Sequence, residues 1–338
     1  MEARAPDGSP LLRFWRGWRR EILRGAVLFA LIVAGGLAAV HVFRSFAAGW
    51  SDLAMGGDWA AGGDRRWQEA FLWSDRLKPG DKVWIRNRSG AVTVAAAPGE
   101  SLLVVAEKSW HRSSPELVNI VAVPHEGGVT ICALWEADKA VCAPRGDYKI
   151  QNPRRGDVAV RFTIHVPRGV ALDASTINGL VAVAGVDAPV TASTVNGKVQ
   201  AEIMRAPFEA RTVNGQIDVA IALRRGGPAG AIDLGTVNGS IHAALAPGLD
   251  AELEASTVNG RIDSEIPVAV TGRLTSRKLA GRLGSGGAAL RLHTVNGSIH
   301  LVERGPEGAH VEHEKPHVPP APSAPPPPAG TKVRVRVN

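Results

Sequence analysis

Three ionisable residues, Asp218, His242 and Asp263, occupy the same position in a repeated sequence, four residues after an Asn that ends a Thr-(Val/Ile)-Asn motif. A histidine between two carboxylates can act as a general acid and base. Such groups on the side of a β-helix can cleave polysaccharide. If the repeats stack in register and in sequence order, these three side chains become neighbours in one outward-facing column. The equivalent residues of the other repeats are Ala182, Gln200 and His300.

The same column also fits a solvated ladder of opposite charges. The sequence offers neither an aromatic platform for a sugar ring nor a cluster of basic residues to hold a uronate. We therefore interpret Asp218, His242 and Asp263 as a surface column. The sequence predicts no enzyme activity, no catalytic residue, no cofactor and no metal site.

The repeat itself is Thr-(Val/Ile)-Asn-Gly, which occurs six times, first at a spacing of 18 residues and then at longer ones. Its Thr, Asn and Gly positions are Thr176, Asn178 and Gly179; Thr194, Asn196 and Gly197; Thr212, Asn214 and Gly215; Thr236, Asn238 and Gly239; Thr257, Asn259 and Gly260; and Thr294, Asn296 and Gly297. A period of about 20 residues with one turn signal is typical of a solenoid, in which each unit stacks on its neighbours.

Apolar residues alternate with polar ones on both sides of each Asn-Gly. Leu172, Ala174 and Thr176 share one parity, and after the Asn-Gly the apolar positions restart at Val181 and Val183. Alternation with a period of two indicates a half-buried strand. Each repeat is therefore predicted to be strand, bend, strand, which makes the fold an all-β, single-stranded β-helix or solenoid.

The Asn-Gly pair is expected to form the bend, because Asn tolerates a left-handed backbone and Gly adopts it without a Cβ clash. A two-residue hairpin turn is the alternative, but six copies at this period fit stacked corners better. Stacking would align the Thr and the Asn residues into two polar ladders at the strand spacing of about 4.8 Å. We predict a structural role for both ladders.

The segments "VPRGVALDASTINGLVAV" and "LAGRLGSGGAALRLHTVNGSIHL" resemble the repeated core of the putative adhesin family, which consists of bacterial envelope β-helix domains. The resemblance covers residues 83 to 303. It implies a right-handed β-solenoid outside the cytoplasmic membrane, often tethered by one helix. It implies no catalytic residue.

Cys132 and Cys142 lie in two short apolar segments that flank a charged connection. In an oxidising compartment they could form a disulfide that closes a hairpin. A metal site is the rival interpretation, but two thiolates without a paired His or Cys set lack the four ligands of a zinc site. We favour the disulfide.

Residues 25–43 form an apolar run of about 19 residues, long enough for a helix to cross a bilayer. Five arginines precede the run, at Arg13, Arg16, Arg19, Arg20 and Arg24. The positive-inside rule then places the N-terminus in the cytoplasm and the repeats outside. A cleavable signal peptide is the alternative; we predict an uncleaved, single-pass signal anchor in the cytoplasmic membrane.

The remaining segments follow from composition. Residues 1–24 form a cytoplasmic basic segment, and residues 44–82 form a juxtamembrane or capping segment. In the latter, Trp67, Phe71, Trp73 and Leu77 would lie near one side of a short helix. The solenoid spans 83–304, with 83–167 as degenerate first coils or, alternatively, a small separate β domain.

Residues 305–338 are Pro-rich and predicted to be a disordered tail. They end in an alternating basic strand that could pair with a sheet edge, contact an anionic surface, or remain disordered. His310, His313 and His317 in this tail invite a metal hypothesis, but a flexible tract favours adventitious binding. No nucleotide-binding or metalloprotease motif is present.

The net charge of +7 reflects the cytoplasmic arginines and the basic terminal strand, so we predict no nucleic-acid binding. The sequence predicts a membrane-anchored envelope protein whose external solenoid is a non-catalytic binding or structural surface. An envelope protein, a wall polymer or a surface glycan is the expected partner. The alternatives are a regulatory module that signals through the N-terminal segment and a carbohydrate-active enzyme.

Overall fold

A computed structural model describes residues 68–136, 139–150, 156–203, 207–221, 230–270, 275–304 and 333–337. They belong to one compact unit of the chain, Arg65–Asn338. They form 24 β-strands and two 3₁₀ turns, at Pro115–Leu117 and Pro144–Gly146, with no α-helix among them. The described part of the chain is therefore all-β, as predicted.

The strands form two sheets of 11 strands each and one of two strands. Sheet A has the spatial order β19 (Ile262–Ser264), β23 (Ile299–Glu303), β17 (Ile241–Leu245), β15 (Ile217–Ile221), β13 (Val199–Ile203), β11 (Val181–Ala184), β3 (Val92–Ala96), β9 (Ala159–Val166), β4 (Ser101–Ser109), β1 (Gln68–Arg76) and β24 (Val333–Val337). Sheet B has the order β20 (Ala269–Val270), β21 (Lys278–Leu283), β18 (Ala251–Asn259), β22 (Ala288–Asn296), β16 (Ile232–Asn238), β14 (Phe208–Asn214), β12 (Val190–Asn196), β10 (Ala171–Asn178), β2 (Lys82–Arg86), β6 (Gly128–Trp135) and β5 (Val118–His125). The third sheet pairs β7 (Val141–Cys142) with β8 (Tyr148–Lys149).

Each repeat contributes one strand to sheet B and one to sheet A, with the Thr-x-Asn-Gly corner between them; we call this unit a rung. In β12, Val190, Ala192 and Thr194 are buried and the residues between them are more exposed. Equivalent residues of neighbouring rungs pair in parallel, so that Val190 lies opposite Phe208. The inward side chains of both sheets belong to one hydrophobic core cluster.

The rungs do not stack in sequence order. β16 pairs with β22 rather than with β18, and β18 pairs with the other side of β22. In sheet A, β23 likewise lies between β17 and β19. The corner Asn residues therefore follow the spatial order 178, 196, 214, 238, 296, 259. The sixth repeat of the chain fills a gap between the fourth and the fifth.

The N-terminal end shows a similar inversion. β2 and β3 form one rung, and β6 and β9, which come later in the chain, form the rung outside it. The chain then returns, and β10 pairs with the other side of β2. Antiparallel strands continue the sheets past these rungs, β5 on β6 and β4 on β9. At the other end of sheet B, β21 pairs antiparallel with β18.

The predicted helix around residues 67–77 is wrong over the residues described there, which form strand β1 instead. Phe71 and Trp73 are buried on one side of the strand, and β1 pairs in antiparallel register with β4. Residues two apart share a face in a strand, so this spacing buries both rings against the core. In so short a segment, the spacing of the aromatic residues fits a helix as well as a strand.

The basic terminal strand is β24, which pairs antiparallel with β1 at one edge of sheet A. The rest of the predicted tail, residues 305–332 and 338, lies outside the described residues, as do Trp67 and the tail histidines.

The predicted membrane-spanning segment, residues 25–43, also lies outside the described residues. Within the part of the chain that the structure describes, no helix combines the length and the apolar character needed to span a membrane.

Candidate functional site

The corner threonines form an inward ladder in which each hydroxyl donates a hydrogen bond to the neighbouring rung. Thr194 Oγ1 donates to Gly179 O at 3.0 Å, and Thr212 Oγ1 donates to Gly197 O at 3.0 Å. The other four corner threonines make the same type of bond, and all six are buried. Each buried hydroxyl is thereby satisfied, as the low polarity of the core requires.

The corner asparagines form an outward ladder beside the threonines. Asn196 Nδ2 donates to Asn178 Oδ1 at 2.9 Å, and Asn214 Nδ2 donates to Asn196 Oδ1 at 2.8 Å. The chain of amides continues through Asn238, Asn296 and Asn259. This order repeats the spatial order of the rungs, so the amide ladder crosses the inversion without a break.

The corner glycines are explained by close approach rather than by a left-handed backbone. Gly179 has a φ of 155°, but Gly197, Gly215, Gly239, Gly260 and Gly297 are not in the positive-φ region. A Cβ added at Gly215 would lie 1.9 Å from Gly197 O in the next rung. The expectation that Asn-Gly supplies left-handed residues is therefore wrong, because none of the corner asparagines has a positive φ either.

Between the Thr and Asn ladders lies an outward column of β-branched apolar residues. Val195 is 38% exposed, Val258 56% and Val295 38%. The column also contains Ile177, Val213 and Val237, which are half-buried. Sequence reasoning left open what these residues contact, and the structure places them at the surface along the amide ladder.

On the outer face of sheet A, the structure separates Asp263 from the other two predicted column residues. Asp218 lies opposite His242, but His242 lies opposite His300, and only His300 lies opposite Asp263. The imidazole rings of His242 and His300 stack with their centroids 4.7 Å apart. His242 and Asp263 are therefore not adjacent, contrary to expectation, because the rung that carries His300 lies between their two rungs.

The carboxylates of this column are differently engaged. Asp218 contacts Lys198 Nζ and accepts a hydrogen bond from the Gln216 amide. Asp263 Oδ2 lies 3.6 Å from His300 Nδ1. The lysine compensates the charge of Asp218, so the arrangement described does not provide the two carboxylates around one histidine from which acid–base catalysis was argued.

The outer face of sheet B carries a charged cluster that sequence reasoning missed. Arg211 contacts Glu209 and Asp233, at 3.0 Å and 3.1 Å, and lies against Gly235 of the next rung. His293 Nδ1 is hydrogen-bonded to Ser256 Oγ at 2.8 Å. The sequence did carry a signal for this cluster. Its residues occupy the polar positions that alternate with apolar ones in the first strand of each repeat.

The pKa of His293 is lowered mainly by burial. The positive charges of Arg211 and Arg291 act in the same direction, whereas the carboxylates of Asp233 and Glu254 oppose the shift. A neutral imidazole suits the hydrogen bond with Ser256, in which the hydroxyl can donate to Nδ1. This pair links β18 to β22, the first strand of the inverted rung.

The predicted disulfide is confirmed. Cys132 on β6 and Cys142 on β7 are joined, with their Cα atoms 6.0 Å apart. The loop that follows Cys142 folds back onto the outer face of sheet B, where Gly146 O accepts a hydrogen bond from Arg86 Nε at 2.9 Å. The disulfide thus holds a covering loop against sheet B.

A cavity of about 390 Å³ lies between β1 and β4 of sheet A and β5 and β6 of sheet B. Its lining includes Phe71, Lys108, Asn119, Trp135 and Glu136. Lys108 Nζ donates to Pro115 O at 3.1 Å, and Asn119 Nδ2 donates to Glu136 Oε1 at 3.0 Å. Several of its polar groups are thus already engaged within the fold.

No group of three or more His, Cys, Asp or Glu side chains is arranged as a metal-ligand set in the described ranges. The column histidine that sequence reasoning did not single out, His300, is the residue that contacts both His242 and Asp263.

No protein-family model matches the chain, and no curated protein is significantly similar to it. Among solved structures, it is similar to a putative cell adhesion protein from Clostridium sporogenes, with 10% identity, a TM-score of 0.41, and coverage of 69% of this chain and 99% of that one. It is also similar to a putative adhesin from Bacteroides fragilis, with 9% identity, a TM-score of 0.23, and coverage of 70% and 97%. A putative adhesin from Parabacteroides merdae shows 9% identity, a TM-score of 0.24, and coverage of 70% and 96%.

These structural neighbours are bacterial proteins, called putative adhesins or a putative cell adhesion protein. At these identities and TM-scores, the likeness does not decide function. The function proposed below rests on the residues of this chain.

Proposed function

We propose that this protein is a single-pass, membrane-anchored protein of the bacterial cell envelope. Its body, the all-β stack of rungs, would lie outside the cytoplasmic membrane and act as a non-catalytic binding surface. The observation that carries this proposal is the regular corner, where six rungs align an apolar column beside an amide ladder.

The corner suits binding because its groups repeat at the spacing of neighbouring strands, about 4.8 Å. The amides keep donor and acceptor capacity beyond the bonds that they make to one another. Exposed Val195, Val258 and Val295 add apolar contact area. A long polymer can use such a surface through many weak, repeated contacts.

The anchor is supported by the apolar run at 25–43 and by the arginines that precede it. The location outside the membrane is supported by the positive-inside rule. The disulfide between Cys132 and Cys142 agrees with an oxidising compartment. We expect the partner to be a wall polymer, a surface glycan or another envelope protein.

The test uses the full chain in detergent, incubated with cell-wall and glycan fractions, with retention and release of soluble sugar measured together. We expect retention without release. Val195→Asp combined with Val258→Asp should reduce retention at least tenfold, whereas Thr191→Asp on sheet B serves as the matched control and should leave it unchanged.

Retention that is equal in both variants would contradict a corner binding surface. Sugar release that disappears in His242→Ala would replace the proposal with an enzyme. Protease accessibility in spheroplasts tests the location: cleavage of the repeats only after the inner membrane is opened would contradict an external body.

A further inference from the structure

We propose that His242 and His300 form a binding site for a divalent transition-metal ion, with water completing the coordination and Asp263 orienting His300. The inference does not depend on the proposed function. It concerns the outer face of sheet A, where the inverted rung brings together two histidines that are 58 residues apart in the chain.

The first support is the distance between the two imidazoles. His242 and His300 are direct partners in parallel register, and their ring centroids are 4.7 Å apart at an interplanar angle of 29°. Zinc–imidazole bonds measure about 2.0–2.1 Å, so two nitrogens on one tetrahedral ion lie about 3.3 Å apart. A rotation of the rings about their Cβ–Cγ bonds can turn one nitrogen of each ring toward a shared ion.

The second support is the carboxylate beyond His300. Asp263 Oδ2 lies 3.6 Å from His300 Nδ1. A histidine that binds a metal commonly donates its other N–H to a carboxylate, which sets the tautomer and raises the basicity of the ligating nitrogen. Asp263 can serve in this way and leaves Nε2 of His300 as the ligating atom.

The third support is the access and charge of the site. The His300 side chain is 37% exposed and that of Asp263 is 51% exposed, so an ion and its waters can approach. Asp218, on the other side of His242, is already paired with Lys198. Asp263 therefore supplies the local negative charge that favours a cation.

Two imidazoles and water favour a particular class of metal. Imidazole suits Zn²⁺, Cu²⁺ and Ni²⁺, whereas Mg²⁺ and Ca²⁺ prefer oxygen ligands. The described part of the chain has no group of three or more potential ligands in place, so we expect an open site of moderate affinity. The ion would join β17 to β23, the second strand of the inverted rung.

The experiment measures Ni²⁺ and Zn²⁺ binding to the full chain in detergent by calorimetry, together with the shift of the unfolding temperature. All samples carry His310→Gln, His313→Gln and His317→Gln, because the tail histidines are a competing tract. We expect one saturable site and a higher unfolding temperature, since a ligand that binds only the folded state stabilises it.

His242→Gln and His300→Gln should each weaken binding at least tenfold and remove the thermal shift. Asp263→Asn should weaken binding about 10–100-fold, as expected for a carboxylate behind a ligating histidine. His293→Gln, on sheet B, is the matched control and should bind as before.

Binding that survives His242→Gln and His300→Gln, or the absence of a saturable site in these samples without tail histidines, would overturn the proposal and leave adventitious binding only. Equal binding of Mg²⁺ would also overturn it. Circular dichroism of each variant identifies any loss of fold. If a His→Gln variant unfolds, the test is diethyl pyrocarbonate modification of the protein that retains both histidines. Ni²⁺ should then protect His242 and His300 from modification, and a lack of protection would overturn the proposal.

Discussion

At the scale of single residues, the corner is built from one polar side chain that points inward, one that points outward, and a glycine between successive rungs. The threonine hydroxyl bonds to the glycine carbonyl of the neighbouring rung, and the asparagine amide bonds to the next amide. The glycine is needed because the carbonyl of the neighbouring rung occupies the space of a side chain. The tetrapeptide therefore encodes stacking as well as a bend.

The first prediction concerns this glycine. In Gly215→Ala, the new methyl would lie 1.9 Å from Gly197 O, so two rungs must separate or shift. We expect a loss of unfolding free energy of about 1–3 kcal/mol or more, as for other overpacked sites. Urea unfolding followed by circular dichroism measures it.

The matched control is Gly99→Ala, because a Cβ at Gly99 would have no atom within 4 Å. Its effect should stay within about 0.5 kcal/mol, as for most surface substitutions. If the two variants lose the same amount of stability, close approach between rungs does not explain the corner glycines.

At the scale of elements, each strand depends on partners that are distant in sequence. β6 supplies the outer rung of sheet B at the N-terminal end and carries Cys132. The disulfide joins it to β7, whose following loop covers Arg86 through the bond to Gly146 O. This covering loop thus has both a covalent and a hydrogen-bonded attachment.

The second prediction concerns the disulfide. Replacing both Cys132 and Cys142 by Ser should lower the unfolding free energy by about 2–3 kcal/mol, the entropy expected for releasing a short closed loop. The unmodified protein in reducing agent should approach the stability of the double variant in urea unfolding. A double variant that still responds to reducing agent would contradict this assignment, since no other cysteine exists in the chain.

The third prediction tests the inverted order of the rungs. A chain that ends at Gly287 lacks β22 and β23, so β16 and β18 lose the strand that lies between them. We expect it to lose cooperative unfolding, whereas a chain that ends at Arg304 keeps every repeat rung and should retain it. Both are measured by urea unfolding and by amide hydrogen exchange.

In a stack that followed sequence order, removal of the last repeat would only shorten the structure. A chain ending at Gly287 that unfolds cooperatively, with amides of β16 as protected as before, would therefore show that the order described here is wrong.

At the scale of the whole molecule, the rungs share one core, and ionisable groups with shifted pKa values link its stability to pH. Burial lowers the pKa of His165, although a hydrogen bond with the backbone of Ala96 opposes the shift. His293 also has a lowered pKa. Burial opposes the shift of Asp157, but hydrogen bonds from the Ser113 hydroxyl and from backbone amides lower its pKa to about 2.

The fourth prediction is a loss of stability in mild acid. A histidine with a lowered pKa in the folded state binds fewer protons than in the unfolded state, so stability is full above the ordinary value of about 6.5 and falls with decreasing pH. Asp157 contributes the same stability throughout mild acid. Its contribution is lost only below its ordinary pKa of 3.8, as the pH falls toward 2.

The measurement is the unfolding temperature between pH 7.5 and pH 5. His165→Gln should reduce its pH dependence, because it removes one of the two described histidines whose pKa is lowered in the folded state. A His165→Gln profile with the same slope as the unmodified protein would contradict the role of this buried imidazole.

The amino-acid sequence by itself determined the strand–corner–strand repeat, the parity that buries Thr194, and the disulfide. These features are local, because alternation and turn residues act within a few positions of the chain. The sequence also brought out Asp218, His242 and Asp263 as one column. It missed the importance of His300 and the strand character of residues 68–76.

Only the tertiary structure decided the order of the rungs, and with it the pair His242 and His300 and the contact of His300 with Asp263. The physical reason is that every rung presents the same Thr, Asn and Gly to its neighbour. Identical corners can stack in any order with the same hydrogen bonds, so the repeated motif carries no signal for which rung lies next to which. That choice rests on the fit of whole strands and of the antiparallel segments at the two ends, which exists only once the chain is folded.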